Sequence, residues 1–224
     1  MEPNELYTIG LAGTVVQAPE PYRNIYGRSN IYALWLDVER DSGTKDRILV
    51  LFQEATLLEN AFLPETLKEE LEGKITAAIK EGSRVEVTGA IQTYKDTKTG
   101  RTQLFVWCNY IAELADASQE LNAVYITGIV ARNPVYRETP KGKRITDVSI
   151  CIPSAFKEGF YSYIPCIAWG RTAKDAAALQ EGDNVYLEGR LQSRKYVKRT
   201  EEGNKVFTTW EVSVNKLLGG AEND

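Results

Sequence analysis

The sequence predicts an all-β chain in which one five-stranded barrel domain is written twice, each copy carrying a single helix. Three observations predict it. The first is internal repetition: Lys80–Lys95 aligns without a gap to Gln180–Lys195, both reading Glu-Gly-x-x-Val-x-(Val/Leu)-x-Gly-x-(Ile/Leu)-Gln. Upstream, Leu11–Pro19 matches Ile126–Pro134, and downstream Gln103–Trp107 matches Lys205–Trp210 after a three-residue loop difference. The second is period-two alternation of apolar residues between these repeats. The third is one short helical stretch per copy, ended by glycine, between the third and fourth strands.

Each element follows from its residues. Ile31–Val38 places Tyr32, Leu34, Leu36 and Val38 on one face, and Val148, Ile150 and Ile152 form the matching face of the second copy. Pro64 opens a helix with Leu67, Leu71, Ile75 and Ile79 along one side, although Gly73 in its interior costs roughly 1 kcal/mol. In the second copy Thr172 is the expected cap of a helix over Ala173–Leu179, stopped at Gly182. Val185–Lys198 and Lys205–Val214 read as a long hairpin turning at Glu201–Asn204. Gly89 and Gly189 interrupt strands, where glycine marks a bulge or tight bend. Trp107 and Trp210 align, which suggests a shared buried role. Five strands with a helix between the third and fourth is the layout of an OB fold. The expected boundaries are 1–116 for the first domain, 119–218 for the second and a short tail at 219–224, joined by the polar segment Ala115–Gln119.

Composition narrows the function. The chain has no His, which excludes Ser-His-Asp and Cys-His catalysis and His-containing zinc sites. Cys108, Cys151 and Cys166 are far apart among apolar residues and read as buried thiols, not as a metal site or disulfide framework. No aspartate pair at metal-bridging spacing, phosphate-cradling glycine loop or activated nucleophile appears, so no enzyme, cofactor or metal is expected. The acidic start carries no signal-peptide pattern and no membrane-length apolar run is present, so a cytoplasmic, nucleoid-associated protein is expected.

The net charge of −4 is uneven. Residues 1–118 hold 12 Lys+Arg against 18 Asp+Glu, whereas residues 119–224 hold 15 against 13. The cations of the second copy concentrate in two segments. Arg132–Arg144 carries five (Arg132, Arg137, Lys141, Lys143 and Arg144) with one acid, and Arg190–Arg199 carries five (Arg190, Arg194, Lys195, Lys198 and Arg199) with none, around Tyr196. Basic segments with interleaved aromatics suit a single nucleic-acid strand, which offers a phosphate and an exposed π-face at every nucleotide. Tyr163 and Trp169 lie six residues apart on one strand and share a face, with Ile164 and Cys166 supplying the core side.

The second copy resembles the bacterial single-stranded DNA-binding protein family. The likeness is carried by Val124–Gly128, Asn133–Arg137, Thr139–Lys143, Ile164–Arg171, Asp183–Tyr196 and Glu211–Val214, in order from about Leu121 to Leu217. The first copy looks like a diverged member, and the whole resembles a subgroup with two OB domains per chain. The resemblance implies sequence-tolerant binding of single-stranded DNA in replication, recombination or repair, and assembly into four OB domains, hence a homodimer. It places the base-stacking aromatics on Phe156, Tyr163, Trp169 and Tyr196, and a cation on Arg171. Phe156 lies in the loop Pro153–Tyr161 and either stacks or covers the barrel end. In the first copy Phe52 aligns with Trp169, Asp46 with Tyr163, Asp96 with Tyr196 and Gln53 with Arg171, leaving Phe52 and Trp35 as the stacking candidates there. Trp35, out of step with Leu34 and Leu36, is expected to face a groove or a partner chain. The first copy is accordingly expected to support assembly while the second carries most of the strand. The family's acidic, aromatic-tipped tail has no counterpart in Gly219–Asp224, which argues against tail-mediated recruitment of other proteins. The alternatives are an OB-fold adaptor of a primosome-type complex acting through protein contacts, and a single-stranded RNA binder.

Overall fold

A computed structural model describes residues 7–61, 64–96, 100–115, 119–155, 157–200 and 203–219. It divides into two compact units, one of residues 1–123 with 153–162 and the other of residues 124–152 with 163–224. The division therefore falls a few residues beyond the expected linker, and it assigns the segment Pro153–Ser162 to the first unit.

The first unit holds β1 (Tyr7–Tyr22), β2 (Ile31–Glu39), β3 (Lys45–Phe52), α1 (Glu54–Asn60), α2 (Glu65–Leu71), α3 (Ile75–Ala78), β4 (Arg84–Lys95) and β5 (Thr102–Glu113). β1 pairs with both β2 and β4, β2 with β3, β4 with β5, and β3 closes on β5 in parallel. That is a closed five-stranded barrel, and closure removes the sheet edges. Leu34, Leu36 and Val38 fill its interior as the alternation requires. The expected single helix is three short ones. Gly73 sits at φ +75° between α2 and α3, in the left-handed region that ends helices, and α1 precedes Pro64 altogether.

The second unit repeats the topology with β6 (Leu121–Val130), β7 (Val135–Glu138), β8 (Arg144–Pro153), β9 (Tyr161–Trp169), α4 (Gly170–Ala177), β10 (Asn184–Thr200) and β11 (Gly203–Gly219). β6 pairs with β8 and β10, β10 with β11 along the long hairpin, β8 neighbours β9, and β9 closes on β11 in parallel. β7 is a short exposed edge strand on β8. Val148, Ile150 and Ile152 are buried, as expected. α4 begins at Gly170, earlier than expected. Trp169 occupies its cap position with extended backbone and no side-chain hydrogen bond, so Thr172 is a helical residue and not the cap.

Both strand glycines sit at register shifts, Gly89 opposite Cys108 and Gly189 opposite Val214. These pairings fix how the copies correspond. With Gly89 matched to Gly189, Cys108 matches Val214, so Trp107 matches Ser213 and stands three residues from Trp210. Accordingly Trp107 is buried while Trp210 is half-buried. The parallel pairs Val50–Val106 and Cys166–Val212 then match Val50 with Cys166. Phe52 consequently matches Ala168, Asp46 matches Ser162, and Gln53 matches Trp169. The expected match for this strand is off by one residue at Asp46 and Phe52 and by two at Gln53, and a one-residue slip exchanges the two faces.

Asp46, matched to Ser162, is fully buried as that correction demands. Arg40 satisfies its carboxylate with two bonds of 2.6 Å. Cys108 is buried and Cys151 half-buried; burial pushes the Cys108 thiol up to about 12, an unreactive setting. No helix of the described residues is long and apolar enough to cross a membrane.

Candidate nucleic-acid interface

In the second unit one sheet face gathers the predicted aromatics. On β9, buried Ile164, Cys166 and Ala168 point inward, which leaves Tyr163 and Trp169 outward at 54% and 39% exposure. Ile167 on this face lies opposite Ser213 of β11. Continuing along β11, Glu211, Thr209 and Phe207 pair with Gln192, Arg194 and Tyr196 of β10. Tyr196, 39% exposed, stacks on Phe207 with ring centroids 5.7 Å apart and planes at 29°. The face thus has aromatic rings on β9 and on the hairpin arm, with a polar floor between them.

That floor is pre-ordered. Glu211 is buried; Gln192 Nε2 donates to its Oε1 at 3.1 Å, and Arg194 Nε and Nη2 donate to Oε1 and Oε2 at 3.3 and 3.4 Å. The buried carboxylate fixes the Arg194 guanidinium on the face, while Lys195, next along the strand, is exposed on the opposite side of β10. Phe207 did not figure among the expected residues. The signal for it lay in the hairpin turn, which sets the register that brings Phe207 opposite Tyr196.

The remaining cations divide by what they touch. Arg132, Lys141, Lys143 and Arg171 are exposed. Arg137 pairs with Asp147 at 2.6 Å and Arg144 with Glu138 at 3.5 Å, both at the surface where such pairs cost little to open. Arg190 is half-buried opposite Ser213, with its Nε buried and lacking a hydrogen-bond partner among the described residues. Phe156 and the side chains of Lys198 and Arg199 lie outside the described residues.

One expected residue of the first copy is corrected. Phe52 is completely buried, its ring against Tyr32, because β3 turns it inward with Ile48 and Val50; it presents no face to a ligand. Trp35 does alternate away from the barrel interior, but it packs against an apolar cluster of Ile25, Ile31, Ala33, Leu49, Leu51, Tyr94, Phe105 and Trp107. The outer face of β2 and β3 is thus a second small core, where the second unit has a polar floor. Asp96, expected to replace a stacking residue, is ion-paired to Arg23 at 2.6 Å. Arg23 also donates to the Tyr94 hydroxyl, which lies 2.6 Å from that of Tyr22. Burial, aided by the Tyr22 hydrogen bond, pushes the Tyr94 phenol up to about 12.

Comparison with known proteins agrees with this architecture. Residues 121–218 match the model of the Single-strand binding protein family. "Single-stranded DNA-binding protein A" of Bacillus subtilis is 31% identical over 94 residues, 40% of this chain and 54% of that protein. "Single-stranded DNA-binding protein 1" of Staphylococcus aureus is 32% identical over 94 residues, 40% of this chain and 55% of that protein. The chain therefore spans about half the length of these curated relatives. The crystal structure of wild-type single-stranded DNA binding protein from Thermus aquaticus superposes with a TM-score of 0.66 at 18% identity, covering 98% of this chain and 95% of that one. One OB-fold structure thus covers 98% of this chain, and the match to the Single-strand binding protein family is confined to the second copy, residues 121–218, of a chain of two OB folds.

Proposed function

We propose that this chain binds single-stranded DNA with little sequence preference and serves DNA replication, recombination or repair. The observation that carries the reading is the single face of β9, β11 and β10. It offers Tyr163, Trp169 and Tyr196 to solvent beside Arg194. Bases stack on such rings at ~1–3 kcal/mol each whatever their identity, while the cations take phosphates. Binding of oligo(dT) measured by Trp fluorescence is expected to weaken with salt, log K falling with log [salt] by about 0.7 per phosphate neutralised. Duplex of the same length is expected to bind far more weakly, and equal affinity for duplex would sink the reading.

On the same reading the chain works as a homodimer of four OB folds. Support comes from the other side of the second unit, where Tyr125, Ile129 and Leu218 are exposed on the outer face of β6, β10 and β11. Register brings them close, Asn184 facing Ile129 and Tyr186 facing both Thr127 and Leu218. Sedimentation equilibrium is expected to give a dimer, and the pair Ile129→Lys with Leu218→Lys a monomer. A monomeric wild-type chain at micromolar concentration would overturn the assembly.

A further inference from the structure

The outer face of β2 and β3 in the first unit, the surface an OB fold usually offers to a ligand, is closed by its own residues. Ile25 is buried in one cluster with Leu49, Leu51, Phe105 and Trp107, and Ala155 packs against it. Arg28 seals the edge: its guanidinium lies 5.6 Å from the Trp107 ring centroid, and it donates to Gln53 Oε1 at 3.3 Å and the Ala155 carbonyl at 3.4 Å. A strand cannot lie there without displacing a small core.

At the rim of this cover, two rings do face solvent. Tyr26 is 42% and Phe160 44% exposed, their centroids 5.9 Å apart with planes at 52°. Lys157 Nζ stands 4.2 Å from the Phe160 ring centroid, and Tyr161 beside it is exposed.

Both rings sit on tight turns. Ile25 and Arg28 exchange backbone hydrogen bonds of 3.2 and 2.9 Å around Tyr26–Gly27, and this holds Tyr26 at φ +48°, unusual for a bulky side chain. Phe160 donates to the Lys157 carbonyl at 3.2 Å, and its own carbonyl accepts from Ser154 at 2.8 Å. The segment is anchored by buried Gln92 and Ser162. Gln92 Oε1 accepts from Ala155 N at 3.1 Å and from Ser162 Oγ at 2.9 Å, and the Thr93 amide donates to Ser162 Oγ at 3.1 Å. Aromatic rings on pinned turns have lost their backbone freedom before any ligand arrives, so less remains to be lost on binding.

We infer that Tyr26, Phe160 and Lys157 form a second stacking subsite for single-stranded DNA on the first unit, displaced to the rim because the usual face is filled. The rings accept the faces of one or two bases, and exposed Lys157, its Nζ over the Phe160 ring, meets the adjoining phosphate. An apolar protein partner fits the lysine less well, since its ammonium would be desolvated in such a contact. The inference rests on the proposed single-strand binding, and the experiment separates the two.

The full chain is titrated with oligo(dT) of about 30 nucleotides, enough for two OB folds. It is also photocrosslinked to the same oligonucleotide carrying 5-iododeoxyuridine, with adducts mapped by mass spectrometry. Three proteins are compared: wild type, Trp169→Ala, and the double variant Tyr26→Asn with Phe160→Leu. Asparagine tolerates the left-handed backbone, and leucine keeps the apolar contact while removing the π-face, so the fold is retained. The expected result is a loss of about tenfold in the double variant, and wild-type adducts on Tyr26 or Phe160. If wild type and Trp169→Ala differ but the double variant binds within about twofold of wild type and neither ring is labelled, the rim subsite alone is wrong. If wild type fails to bind the oligonucleotide at all, the parent reading falls and the subsite with it.

Discussion

Replacing Tyr163 and Trp169 together with alanine is expected to weaken oligo(dT) binding by about 2–6 kcal/mol, the sum of two base stacks. The stability of the protein should barely move. Both rings point away from the barrel interior, which Ile164, Cys166 and Ala168 fill on the same strand. Trp169 occupies the cap position of α4 but contributes no side-chain hydrogen bond to it, so its truncation removes no cap. A melting temperature within a few degrees of wild type is therefore expected, about the size of a 1 kcal/mol change in a chain of this length. The salt slope should be preserved as well, because neither substitution removes a cation. Fluorescence anisotropy of a labelled oligonucleotide at several salt concentrations reads both quantities. A loss below about threefold with unchanged stability would move the stacking role away from β9. A large loss accompanied by a flattened slope would mean that the cationic floor, and not the rings, had been disturbed.

The second-unit face was legible in the sequence because its two determinants are local. Alternation along β9 separates Tyr163 and Trp169 from Ile164 and Cys166, and the hairpin end, where Thr200 pairs with Gly203, sets which residues of β10 and β11 meet. The first unit was legible only as a fold. Its barrel follows from the repeat, and Leu34, Leu36 and Val38 are where the alternation puts them. Its site was misread because a gapless match of a strand is decided to one residue only by pairing, and pairing is a long-range property. Val50 opposite Val106 and Cys166 opposite Val212 supply it; no pattern within β3 does, since that strand is apolar on both faces from Ile48 to Phe52. The same holds for the second small core. Nothing local to Ile25 or Ala155 announces that they join the cluster holding Trp107, and Gln92 acts at a sequence distance of 61 to 70 residues on Pro153, Ala155 and Ser162. Helix lengths failed for the opposite reason. Gly73 was visible, but only its φ of +75° decides that it ends one helix and does not merely weaken it.

Gly89→Ala is expected to destabilise the first unit by roughly 3 kcal/mol or more, the upper part of the range for forcing atoms into a packed interior. A Cβ at this position would stand 2.1 Å from the Trp107 carbonyl oxygen and 3.0 Å from the Cys108 Cα. The obstacle is backbone, and that backbone is the partner strand. Gly89 sits where the β4–β5 ladder shifts register between Thr88 and Gly89, so relieving the contact means parting the two strands at their bulge. Gly82 is the control. Its φ is +87°, yet nothing lies within 4 Å of a Cβ there, so Gly82→Ala meets only the left-handed backbone penalty of about 1–2 kcal/mol. Chemical denaturation of the two variants should therefore rank Gly89→Ala well above Gly82→Ala in cost, with Gly189→Ala, whose Cβ would lie 2.4 Å from the Ser213 carbonyl oxygen, behaving like the former. Equal, small costs at all three glycines would mean that conformational freedom, and not close strand approach, is what Gly89 and Gly189 supply. The distinction bears on the proposed interface directly: the unbroken β10–β11 ladder that carries Arg194, Tyr196 and Phe207 onto one face starts at the Gly189 bulge, so strands parted there disturb that face. A Gly189→Ala protein that still folds is expected to lose affinity for single-stranded DNA out of proportion to its loss of stability.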